Sequence, residues 1–581
     1  MNRTKQFLGA VATLALLTGA APEQKLTERQ RVLHAMNRLS FGPRPGDVEA
    51  VLKDGLDVWI NQQLHPDQLP DRAMEARLAS MSTLRMSSNE IIQKFYRPLQ
   101  EARQQAKRAA GNAPPDGMKG DEKMDAAELR RELRKNTPPD ARPQRVMEEL
   151  QSQRILRAVE SDRQLNEVMV DFWMNHFNVF AGKGIDRFLL TSYERDTVRP
   201  RVWGRFEDLL MATAKSPAML FYLDNARSVA APENRPQISQ REDGGMRRRG
   251  GLGTRGRANV MSEEPMMAGK PKNPKATRGG LNENYAREIM ELHTLGVDAG
   301  YTQKDVTELA RVLTGWTIAG GRKGIEGSGF LYRPQLHDSA AKTVLGVRFA
   351  PGGGMEEGEK MIRLLAHHPA TARHIATRLC QRLVADEPPP ALVDRVAKRF
   401  LDTDGDLRQT VKAVIDGPEF WDPRASRSKV KSPFEYAVSA VRAIRATVNN
   451  PIPIARALQQ IGEPLYGAQP PTGYSDKADG WINTGALLNR LNFALALASN
   501  KLPGVHADVL SLIPAVEAAD PSRSVDALAV VLTGGSLSEE TKSTIKARIV
   551  EQKSPSEDPR DNTQLPTITG LILGSPEFQK Q

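Results

Sequence analysis

The sequence predicts an all-α fold: a large multi-helix domain with long polar, disordered insertions and at most a small β-hairpin. Three observations carry this expectation. Apolar residues recur at i, i+3, i+4 and i+7, as in Val306, Leu309, Ala310 and Leu313. Capping patterns precede such stripes at Thr27–Gln30, Ser161–Gln164 and Thr302–Asp305. The composition, 39% hydrophobic and 26% charged over 581 residues, is that of a soluble globular chain with polar inserts. After the N-terminal segment, no stretch has the ~18 uninterrupted apolar residues of a membrane span. A single cysteine, Cys380, excludes an internal disulfide framework, a cysteine-rich zinc module and a c-type haem site.

Residues 1–20 read as a secretory signal. Arg3 and Lys5 form a basic start, Phe7 to Leu17 is an uncharged apolar run, and Thr18 and Ala20 supply the small residues of a cleavage site. The expected product is exported, to the periplasm or beyond, with no transmembrane anchor after cleavage. The net charge is +11; residues 1–20 hold two bases and no acid, which leaves +9. A basic exported protein meets anionic polysaccharide or an envelope surface, and nucleic acid is a poor expectation outside the cytoplasm.

The elements follow in order. Residues 21–100 form the N-terminal helical part of the main domain. Its first helix follows Thr27 and stops at Phe41-Gly42-Pro43. Residues 101–145 are a charged helical insertion, dense in Gln, Arg, Lys and Glu and broken by Pro-Pro pairs. Core helices occupy 146–228, one of them carrying Leu165, Met169, Phe172 and His176 on a single stripe. Residues 229–280 read as a disordered Arg/Gly-rich linker, with too few apolar side chains to offset ordering. Core helices resume over 281–505, with Asn282 as a cap and Gly296 ending the first of a hairpin pair. Phe330-Leu-Tyr and Thr343-Val-Leu are the two arms expected of the one hairpin. Residues 506–581 are a C-terminal helical appendage. Its end, Ser-Pro-Glu-Phe578, repeats the helix stop at Gly-Pro-Glu-Phe420.

Residues 281–316 read LNENYAREIMELHTLGVDAGYTQKDVTELARVLTGW. This string closely resembles the central signature of the bacterial exported family catalogued as domain of unknown function 1800. HAMNRLSFG from His34, FWMNH from Phe172, SPAMLFYLDN from Ser216, and His337-Asp338 with KTVLG from Lys342 are similar to further segments of it. Gln469–Asn492 resembles a late Gly-aromatic, Trp-Ile-Asn and Leu-Leu-x-Arg-x-Asn-Phe pattern, with Tyr474 where tryptophan is expected. The resemblance implies a mainly helical exported protein without an established activity. It also implies partnership with a second exported family related to sulfatases and alkaline phosphatases.

Five residues are candidates for chemistry. His176 should face the core, either as a structural histidine or as a ligand or general base. Glu288 and His293 lie about 140° apart on an ideal helix, so the two cannot act from one face. His293, one turn before Gly296, would also suit the negative helix end. His337 and Asp338 share a loop, where they can orient a water, bind a metal or pin the backbone. His367, His368 and His374 lack ligand spacing and read as capping or surface residues. Cys380 reads as a packed small hydrophobe. Asp402-Thr-Asp-Gly-Asp406 fails the EF-hand pattern, and Asp406 is better read as a helix cap. No nucleophile elbow, Walker loop or His-Glu-x-x-His motif is present. The first functional expectation is therefore a binding or accessory protein for anionic polymer or a sulfatase-like partner. The alternative is a hydrolase on envelope or extracellular polymer, its site gathered from these five residues. No cofactor or metal follows from the sequence.

Overall fold

The structure, a computed structural model, describes residues 25–111, 138–236, 280–319, 329–551 and 564–581. The signal segment, most of the charged insertion and most of the Arg/Gly-rich segment lie outside these residues.

The protein is all-α, as the periodicity predicts. Local chemistry sets several helix starts. Thr27 opens helix Glu28–Leu39 with a reciprocal capping box: its hydroxyl accepts from Gln30 N–H at 3.3 Å, and its own N–H donates to Gln30 Oε1 at 2.9 Å. Thr302 and Asp305 do the same for Gln303–Val312. Asp406 caps Leu407–Ile415 by accepting from Gln409 N–H at 2.8 Å. The box expected at Ser161 does not form. Helix Gln164–His176 starts without a side-chain cap, because the Ser161 hydroxyl donates to Asp71 at 2.7 Å and the Gln164 amide turns back to the Ala158 and Ser161 carbonyls. Asn282 likewise stands one residue outside its expected place: Glu283 is the N-cap, and Asn282 Oδ1 accepts from Asn284 N–H.

The strands differ from the single hairpin expected. β1 (Trp316–Ile318) pairs antiparallel with β2 (Phe330–Tyr332), β3 (Lys342–Val344) with β4 (Val347–Phe349), and β5 (Thr447–Val448) with β6 (Val505–His506). The Phe330 and Thr343 segments therefore never pair with each other. Leu345 and Gly346 both have positive φ, the geometry of a two-residue hairpin turn, so β3 closes on its nearest neighbour in sequence.

Among the described residues, the main hydrophobic core draws on positions from Ala35 to Phe578, and a small second cluster joins Val32, Met36, Val48 and Val51. Helix Gln164–His176 is buried on nearly every face; its Trp173 stacks on Phe177, Phe177 stacks on Phe206, and Phe400 meets Phe206 edge-on. The C-terminal helix Gln564–Leu573 lies on helix Thr484–Ala498. A Cβ at Gly570 would sit 2.9 Å from Leu495 Cα, so glycine permits this close approach. No helix among the described residues is long and apolar enough to cross a membrane.

Candidate functional site

His176 ends its helix inside the core, as the stripe predicts. Its ring lies 4.6 Å from that of Phe177, 5.3 Å from Trp173, 6.3 Å from His293 and 6.0 Å from His374, centre to centre. Its Nε2 stands 3.2 Å from the His293 carbonyl, to which the N–H donates. His293 comes within reach because the chain departs from α geometry. Asn284–Glu288 is α-helical, but Ile289–Leu295 is a π-helix, whose wider turns replace the 100° step on which the 140° separation rests. Gly296 ends it at φ +89°, and a Cβ there would meet His374 Nδ1 at 3.0 Å. His374 is thus a core neighbour and not the surface residue its spacing suggests.

All three imidazoles are held neutral. Burial drives His176 well below the usual histidine range, helped by Arg378 and the other two rings. Burial and His374 push His293 down to about 3; burial and Arg378 push His374 down to about 4. The helix end therefore does not hold His293 as a cation. Among the described residues, His293 Nε2 is buried without a hydrogen-bond partner, and no group of three or more His, Cys, Asp or Glu could hold a metal ion. Glu288 lies on the same element but is half-buried, its carboxyl raised by burial and by Glu291; its charge is felt by Tyr222.

His337 and Asp338 belong to a separate network. His337 Nδ1 is 2.8 Å from the Thr314 carbonyl and Nε2 is 3.2 Å from Glu357 Oε2, so both ring nitrogens face acceptors of this chain. The buried Lys342 ammonium donates to the same Glu357 oxygen at 2.7 Å. Asp338 takes two bonds from Arg311, at 2.9 and 3.0 Å, and one from Asn234 at 3.0 Å. His176, Glu288 and His293 are not among these partners. Of the five candidates, the structure brings together His176 and His293, and His337 and Asp338, as two pairs. Cys380 is buried, with its thiol pushed up to about 12 by burial.

A polar cavity of about 40 Å³ was not foreseen. It lies along the face of helix Gln164–His176 that carries Asp171 and Asn175. Asp171 accepts from Arg154 at 2.5 Å and Arg382 at 3.0 Å. Glu463 accepts from Phe434 N–H at 2.8 Å, and burial, with Asp171 nearby, raises its carboxyl to about 7. Asn175 clasps Tyr474 on both main-chain groups, at 2.9 and 2.7 Å. Two segments that carry the resemblance, around Asn175 and Tyr474, meet here. Membership in those resembling segments is the sequence signal for Asn175 and Tyr474; Arg154, Arg382 and Glu463 carry none.

Buried signature segments knitted by polar clasps define a helical protein organised around its motif residues. The family model described as protein of unknown function (DUF1800) matches residues 34–580, nearly the whole chain. The chain belongs to the DUF1800 family. Comparison with curated proteins and with solved structures finds no match.

Proposed function

We propose that this chain is an exported binding or accessory protein that holds anionic envelope or extracellular polymer, directly or beside a sulfatase-like partner. The observation that carries the reading is the fate of the five candidate residues. They do not converge: His176 bonds the His293 carbonyl, His337 bonds Thr314 and Glu357, Asp338 bonds Arg311, and Glu288 joins neither pair. A catalytic set must converge on one reacting atom within hydrogen-bond reach. The basic charge, +9 beyond residue 20, supports attraction to polyanions that weakens with salt. The test is retention of residues 21–581 on sulfated and on carboxylated polysaccharide across a salt gradient. Retention that falls steeply with salt is expected; elution at the lowest salt from both would overturn the reading.

The second reading is a hydrolase on such polymer, and Glu463 is the observation that favours it. A carboxyl near neutrality beside an arginine-held Asp171 can act as a general acid. Polymer cleavage lost in Glu463→Gln with the fold intact would support it; no cleavage by the native protein would remove it.

A further inference from the structure

A cleft of about 180 Å³ opens between the first described helix and the C-terminal residues. Helix Glu28–Leu39 and the turn after it form one wall. The end of helix Pro521–Thr533, the 427–431 segment and the last residues form the other. Five cations line it: Arg29, Arg44, Arg427, Lys431 and Lys580, against Glu49 and Glu577. Glu49 is paired with a base, Arg29, at 2.8 Å, whereas Glu577 keeps one buried carboxylate oxygen, Oε2, without a hydrogen-bond partner among the described residues. Glu577 Oε1 accepts from the Ser538 and Thr541 hydroxyls at 2.6 and 2.9 Å, leaving its charge close enough to Arg427 to be felt there.

Arg44, Arg427 and Lys431 donate to main-chain carbonyls. Arg44 donates to the Val159 carbonyl at 2.6 Å, Lys431 to that of Phe578 at 2.8 Å, and Arg427 to those of Glu577, at 3.0 Å, and Thr533. A carbonyl satisfies an N–H but cannot neutralise a unit charge, and an under-compensated buried cation is costly. Behind the wall stands buried Arg38, which donates to the Ala425 carbonyl and the Ser428 hydroxyl while its Nε and Nη1 have no hydrogen-bond partner among the described residues. Arg427 also adopts φ +56°, a left-handed conformation uncommon for a side-chain-bearing residue. Strained residues cluster at ligand clamps. Both walls also carry apolar side chains, Leu33 on the first and Val530 and Leu532 on the second.

We infer that this cleft binds one oxyanion group of a saccharide chain, a sulfate or phosphate ester or a uronic carboxylate, between Arg44, Arg427 and Lys431. A volume of 180 Å³ admits an oxyanion and part of the unit that bears it, but is below the ~300 Å³ of a pocket that engulfs a whole ligand. The rest of the chain would run out over the apolar rim. This inference rests on the binding reading above and gives it a site.

The experiment uses residues 21–581 and measures binding of inorganic sulfate, inorganic phosphate and a uronic acid monosaccharide by calorimetry. Arg44→Gln, Arg427→Gln and Lys431→Met are compared with the distant surface control Lys304→Gln, each checked for a native unfolding transition. Saturable binding of at least one anion is expected, weakened tenfold or more in the cleft variants and unchanged in the control. The preferred anion identifies the group. Arg44→Gln, on the partly exposed edge, keeps the test decisive if a buried variant does not fold. No saturable binding of any anion, or equal binding by Arg44→Gln and native protein, overturns the inference. Polymer retention that survives unchanged in folded cleft variants rejects the site and leaves the binding reading standing. Anion binding at the cleft without polymer retention does the reverse.

Discussion

Replacing His293 by Gln should reduce the acid sensitivity of the fold. In the native state this ring is buried and neutral, with a pKa of about 3 caused by burial and His374. Unfolded, it returns to about 6.5. Because the folded value lies below the unfolded one, the unfolded chain takes up the proton first. The contribution is complete above about pH 6.5 and is lost as pH falls from there toward 3. At pH 5, about 1.5 units below the unfolded pKa, the loss is about 2 kcal/mol. The assay is urea unfolding of native protein and His293→Gln at pH 7.5 and 5.0. The variant starts less stable at pH 7.5, but its drop on acidification should be about 2 kcal/mol smaller. Glu463 and Asp186, whose carboxyls are raised by burial, shift stability the opposite way in both proteins and cancel from the difference. His34→Gln repeats the experiment at a remote place, since burial and Arg38 also push that ring down to about 3. Equal pH dependence in native and variant protein would mean that His293 is accessible or charged in the folded state, and the assignment of a neutral core cluster would fail.

Further outcomes are specific to other residues. Asp171→Asn removes a charge held by Arg154 and Arg382 and should cost about 3–5 kcal/mol in urea unfolding, the range for breaking a buried ion pair. Lys342→Met should cost a similar amount, about 3–5 kcal/mol, by leaving Glu357 with His337 alone in a buried setting. Gly296→Ala should lower stability by about 1–3 kcal/mol, because φ is +89° and the new methyl would meet His374 at 3.0 Å. Thermal unfolding read by circular dichroism measures that loss.

Much of the local architecture was legible because its causes are local. Thr27, Thr302 and Asp406 cap helices through partners three residues away, and the stripe ending at His176 points into the core as its spacing requires. What failed was the step from local pattern to tertiary partner. Ser161 has capping chemistry but spends its hydroxyl on Asp71, 90 residues earlier. His293 and His176 meet because a π-helix changes the face that His293 presents, and helical periodicity counted at 100° cannot see it. His374 joins them from a third element. The charged cavity was the least legible feature: Asp171 and Arg382 are 211 residues apart, and neither stands in a motif that announces the other.

The buried arginines divide by what balances them. Around Asp171, burial opposes the charge of Arg154, Arg199 and Arg382, yet carboxylates outweigh it and all three are held more firmly protonated than usual. Elsewhere the balance reverses: burial lowers Arg442 to about 9, Arg38 to about 10 and, on the wall of the terminal cleft, Arg427 as well, each against a weaker pull from nearby acids. The same side chain at similar depth shifts in opposite directions, so the difference lies in the supply of acids. The Pro-Glu-Phe repeat explains part of how the acid-poor side is built. Each copy buries its phenylalanine and presents that residue's carbonyl to a nitrogen, Phe420 to His34 Nε2 at 2.7 Å and Phe578 to Lys431 Nζ at 2.8 Å. Carbonyls there do the work that carboxylates do around Asp171. They satisfy donors without cancelling charge, an imbalance that an anion bound in the cleft would redress.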